Sequence, residues 1–311
     1  MNWLDELMTT IELLQGAIFM GILVGAVCPL IGAYFVLRRI VFLGVTLPQV
    51  SAVGVAFAFL IQGFGWFGLS PSHDHEPGWV PLAGSTFFTL AGILVIARME
   101  RRSDGRIDAG IGMIYALAAA WSILLLAKAP VAGAGMLNLL KGEIIAVSPF
   151  QAVSTAVVFA FVVASVVLFH REFLLISYDR DLAISLKKNV ALWDLVFYLT
   201  VGLLVSVAVL GVGPIMTFGY LIIPPMVAHL LVRGISRFMV LASVVGVGSS
   251  IISFFVSYHL DLPLGPTSVA VLGFVYLAAW LFAAGRSAKL GKWRRASISG
   301  AIPGDSDFGK R

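Results

Sequence analysis

Apolar runs long enough to cross a bilayer follow one another along nearly the whole chain, and in lipid each such run must satisfy its own backbone polar groups. About nine of them can be marked, at 11–37, 40–63, 80–98, 109–127, 149–169, 194–211, 214–232, 238–258 and 264–285. Only GVGP separates the sixth from the seventh, so eight helices, one of them broken, is the alternative count. Charged residues make up 12% of the chain, about half the ~25% of a soluble domain. The sequence therefore predicts an all-α polytopic membrane protein. Its net charge of +5 is a matter of membrane topology and not a signal for nucleic acid.

Positive charge sets the direction. With an external N-terminus and nine crossings, only Lys128 and Lys141 fall outside, and every other lysine and arginine falls inside. This places the C-terminus in the cytoplasm. Residues 1–285 read as the membrane domain, and the basic, Gly- and Ser-containing stretch 286–311 as a disordered cytoplasmic tail.

The chemistry of an enzyme is missing. There is no H-E-x-x-H, no G-x-S-x-G and no phosphate-binding loop; GRSAKLGKW has the wrong glycine spacing and a tryptophan where Ser or Thr would hold magnesium. The sequence thus predicts no ATPase site and no bound cofactor. The spans also lack the mid-membrane carboxylates of proton-coupled carriers, with His229 the clearest ionisable group, which argues against an ion-coupled secondary transporter.

Helix breakers and one loop stand out. Pro224 and Pro225 follow a Gly-Pro break, so this segment is either a kinked helix or part of a gate or path, where freed carbonyls find protein or water. In REFLLISYDRDLAISLKKNVALWD, Asp179 or Asp181 can cap a short helix over about 181–188, whose Leu182, Ile184 and Leu186 would offer apolar surface to a partner.

YFVLRRIVFLG, DAGIGMIYALAAAWSILLL, LLKGEIIAVS, YDRDLAISLKKNVALWD, VGPIMTFGYLIIPPMVAHLL and SYHLDLPLGPTSVAVL, in this order, resemble the membrane permeases of bacterial metal-importing ABC transporters of the zinc/manganese/iron type. The resemblance runs from about residue 14 to 283. It implies a multi-pass permease of the bacterial inner membrane, surrounded by lipid and paired with a second permease copy. Cytoplasmic ATP-binding subunits would drive it, an extracytoplasmic metal-binding protein would feed it, and a divalent metal would be the transported substrate. It also implies that Asp179, Arg180, Asp181, Leu182, Ala183 and Leu186 form the element that couples to the ATPase. Lys187 departs from the pattern, which usually carries glycine there.

The second span has Pro48 within it, which deprives the Gly44 carbonyl of its helical partner. At this stretch the resembled permeases carry an Asp and a His four residues apart, on one helix face. In register, this chain has Val45 and Gln49. An amide is a poor ligand for zinc or iron, so either selection rests on the delivery protein and on carbonyls, or the cargo is a chelated metal or another organic substrate. Gly44, Val45, Pro48 and Gln49 are the candidate path residues, with packing against a neighbouring helix as the alternative role for Gln49. The external loop GLSPSHDHEPGW adds His73, Asp74, His75 and Glu76, either a weak metal-collecting cluster or simply solvated.

Overall fold

The computed structural model describes residues 3–64, 79–102, 107–128 and 149–299. They form ten helices: α1 (Trp3–Arg38), α2 (Val41–Gly63), α3 (Trp79–Arg102), α4 (Ile107–Lys128), α5 (Pro149–Leu168), α6 (His170–Tyr178), α7 (Arg180–Ser185), α8 (Val190–Leu231), α9 (Ile235–Leu260) and α10 (Leu264–Ser299). Among the described residues there is no strand. Eight of these helices are long and apolar enough to cross a membrane; only α6 and α7 are not. The runs 194–211 and 214–232 join in one element, α8, which ends at Leu231.

A straight helix of 42 residues would be roughly 63 Å long, about twice the hydrocarbon thickness of a bilayer. α8 avoids this by folding back at Gly213, whose φ of 80° and ψ of 165° lie in a region open essentially only to glycine. Its first arm, 190–212, runs antiparallel to α1. Asp194 sits by Arg38, Phe197 by Tyr34 and Phe35, and Gly211 by Met20. Its second arm, 214–231, returns alongside α1, with Met216 near Gly21 and Leu221 against Gly32. Pro214 opens that arm, the position where a missing N–H and a fixed φ cost least.

α8 is the hub. Of its most apolar stretch 78% is buried, against 17% for α10 and 22% for α4. The outer helices instead expose large apolar side chains, among them Leu117, Trp121 and Leu124 on α4 and Phe274, Trp280 and Leu281 on α10. Such a surface suits hydrocarbon as solvent. α10 continues past residue 285, the boundary drawn from composition, as far as Ser299. His73, Asp74, His75 and Glu76 lie outside the described residues.

Candidate functional site: a proline-bearing helix junction and a capped short helix

Gly44 is buried on α2, where an added Cβ would lie 2.7 Å from Ile222 Cδ1 of α8 and 3.2 Å from the Phe35 ring of α1. Pro48, one turn further on, is buried as well. Val45 and Gln49 lie on the adjoining face and are half-buried. Ile222 stands two residues before Pro224, so α2 and the proline segment of α8 meet at one place. The structure thus brings Gly44 of the first candidate stretch beside Ile222 of the second, with Phe35 of α1 against the same place.

Pro225 is buried against α1. Lacking an N–H, it leaves the Leu221 carbonyl without its helical donor. That oxygen lies where a Cβ of Gly32 would be, an approach that only glycine admits. The same arrangement recurs where Pro29 frees the Gly25 carbonyl, which lies against Gly246 on α9. Close backbone contact of this kind, with Cα–H groups facing carbonyl oxygens, is how small residues join helices in lipid.

The candidate coupling element is built as a capped turn. Asp179 Oδ1 accepts a hydrogen bond from the Leu182 N–H at 2.9 Å, so Asp179 is the N-cap and Asp181 falls in the first turn. The helix ends at Ser185, short of the 188 expected from sequence, because Lys187 adopts a left-handed φ of 55°. There the Lys187 N–H donates to the Ile184 carbonyl, and the Lys188 N–H to that of Ala183. This left-handed turn is where the resembled permeases carry glycine, and a lysine in it is strained. Ala183 faces inward with no exposure, while Leu182, Ile184 and Leu186 are 48%, 58% and 57% exposed.

Behind this helix lies a polar node that the sequence reading did not single out. Arg38, at the end of α1, donates through Nη1 to Asp194 Oδ1 at 3.0 Å and through Nε to Ser177 Oγ at 2.9 Å. Its guanidinium lies 4.1 Å from the centroid of the Phe197 ring. Both side chains of the ion pair are about nine-tenths buried, at 9% and 12% exposure. One turn along, Tyr34 Oη and His170 Nδ1 are hydrogen-bonded at 2.9 Å, and Phe173 packs edge-on against Tyr34. The charge tally counted Arg38 only as a topological marker. A basic residue paired with an acidic one, each at the end of an apolar run, was the available signal. Among the described residues no group of three or more His, Cys, Asp or Glu side chains could hold a metal ion.

Length, composition and exposed apolar rims define a multi-pass membrane protein. Residues 10–283 match the family described as "ABC 3 transport family", and the chain belongs to it. A manganese transport system membrane protein of Listeria monocytogenes is 28% identical over 270 residues, 87% of this chain and 90% of that protein. A complex described as PsaBC from Streptococcus pneumoniae with Fab has the same fold: TM-score 0.75, 23% identity, covering 89% of this chain and 95% of that one. A structure described as an inward-facing conformation of a putative metal-chelate type ABC transporter aligns with a TM-score of 0.65 and 17% identity, over 86% and 87% of the two chains.

Proposed function

We propose that this chain is the membrane permease of an ATP-driven importer of a divalent metal ion, with manganese as the first candidate. The metal assignment draws on the name of the Listeria relative. The observation that carries the ATP-driven reading is α7, a capped helix that buries Ala183 and turns three apolar side chains outward in a chain of this transport family. On this reading α7 seats in a cytoplasmic ATP-binding subunit. Each arm of α8 crosses the bilayer, which gives nine crossings, an external N-terminus and a cytoplasmic C-terminus. Two copies face each other, and an extracytoplasmic binding protein delivers the metal from outside.

The path runs past α2 beside the second arm of α8. Gln49 and the carbonyl freed by Pro48 contact the cargo, and the Pro224–Pro225 segment is the element that shifts. Val45 and Gln49 offer neither carboxylate nor imidazole, so the ion is held weakly in transit. Fast passage needs weak holding, because an ion bound tightly leaves slowly. The same two residues favour the second reading, a chelated metal as cargo, to which an amide hydrogen-bonds without ligating the ion.

Replacing Leu182 with Arg tests the assignment. The variant should insert normally, lose co-purification with the ATP-binding subunit and lose uptake. Undiminished uptake would remove α7 from the docking role.

A further inference from the structure

We infer that α6 and the cytoplasmic end of α1 form one rigid lever, with Arg38, Tyr34 and Ser177 as the positioning residues that pass movement of α7 into the membrane. The inference rests on the reading of α7 as the docking helix. It extends that reading from the surface that receives the push to the residues that carry it.

The register of three helices supports it. His170, Phe173 and Ser177 lie one turn apart along one face of α6, and each meets α1 or its partner residues. His170 bonds Tyr34 at 2.9 Å, Phe173 is fully buried with its ring 6.0 Å from that of Tyr34, and Ser177 accepts from Arg38 at 2.9 Å. Tyr34 and Arg38 are themselves one turn apart on α1, so the two helices are bonded at two levels. Bonds at two levels resist rotation as well as sliding, which a single contact does not. Arg38 then extends the clamp to α8 through Asp194. Only Asp179 separates the end of α6 from the start of α7.

α1 is also placed to deliver the movement. It meets the second arm of α8 by backbone approach at Gly32 and Leu221, and α9 at Gly25 and Gly246. Contacts without intervening side chains have little slack, because a packed interior does not deform continuously. A push on α7 therefore moves α6 and α1 as one body, and α1 shifts the arm that carries Pro224 and Pro225. A buried arginine bonded to two helices holds such a joint better than exposed charges, whose pairs are weak and screened.

Two measurements decide it, both on the assembled complex in vesicles. The double variant Tyr34→Phe/Ser177→Ala removes both α1–α6 hydrogen bonds and keeps the tyrosine ring. It should assemble and hydrolyse ATP, yet its metal uptake per ATP should fall at least several-fold. A merely structural role would lower protein yield and leave that ratio unchanged, and an unchanged ratio overturns the inference. In a Cys28→Ala background, spin labels on the exposed positions Arg39→Cys, in the turn directly after α1, and Arg171→Cys report the distance between the end of α1 and α6. It should be the same in nucleotide-free and ATP-trapped complexes; a distance that changes with nucleotide overturns the rigid lever. The Leu182→Arg variant keeps the two levels apart. If it transports normally, the docking reading fails. If it does not, while the double variant keeps full coupling, only the lever fails.

Discussion

Gln151 Nε2 donates a hydrogen bond of 2.7 Å to the carbonyl of Leu210, the residue four positions before Pro214. Proline has no N–H to offer that oxygen, so a side chain from α5 supplies the missing donor at the fold-back of α8. The glutamine is 4% exposed. Replacing Gln151 with Leu leaves a buried carbonyl without that donor, at a cost of about 1–3 kcal/mol. Thermal unfolding in detergent should register the loss, and unchanged stability would mean that another group takes over.

Gly32 should tolerate no side chain. An alanine Cβ there would overlap the Leu221 carbonyl, a backbone atom that cannot swing aside. Gly32→Ala should destabilise the protein by about 1–3 kcal/mol or more. Gly112→Ala and Gly248→Ala meet nothing within 4 Å and should be neutral or gain up to about 1 kcal/mol from helix propensity. The contrast in unfolding temperature between the two classes is the check.

Lys187→Gly should relieve the left-handed turn after α7, where φ is 55°. The gain is about 1 kcal/mol, reduced by the extra freedom that glycine has in the unfolded chain. Lys187→Val, β-branched at the same φ, should do the opposite. Denaturation of the two variants side by side reads the sign directly.

Val45→Asp/Gln49→His would place a carboxylate and an imidazole one turn apart on α2, roughly 5–6 Å between Cβ atoms. Both residues are half-buried on that face. Calorimetry should show manganese or zinc bound at least about tenfold more tightly than by the native chain, some 1.4 kcal/mol. No gain in affinity would place Val45 and Gln49 away from the path and return Gln49 to packing between helices.

The spans were legible because lipid leaves a chain so few options: a long apolar run must be a helix. The α7 turn was legible in part, since an aspartate before an apolar stretch is a local signal, although it offered two candidate caps. Its end was not. A left-handed lysine gives no local warning, and only the contrast with the family's glycine marked the position. Tertiary pairings were the least visible. Arg38 and Asp194 are 156 residues apart, and Gln151 and Leu210 are 59 apart; nothing near either partner announces the other. The GVGP break was seen, but its consequence, two arms lying along the same helix, follows from contacts with α1 that periodicity does not encode.

The most direct measurement is uptake of radiolabelled manganese into vesicles holding this chain with its ATP-binding subunits, with the external binding protein supplied outside. Accumulation should require ATP on the cytoplasmic side and stop when the ATP-binding subunits are left out. Accumulation by this chain alone, driven by an ion gradient with no ATP present, would contradict it.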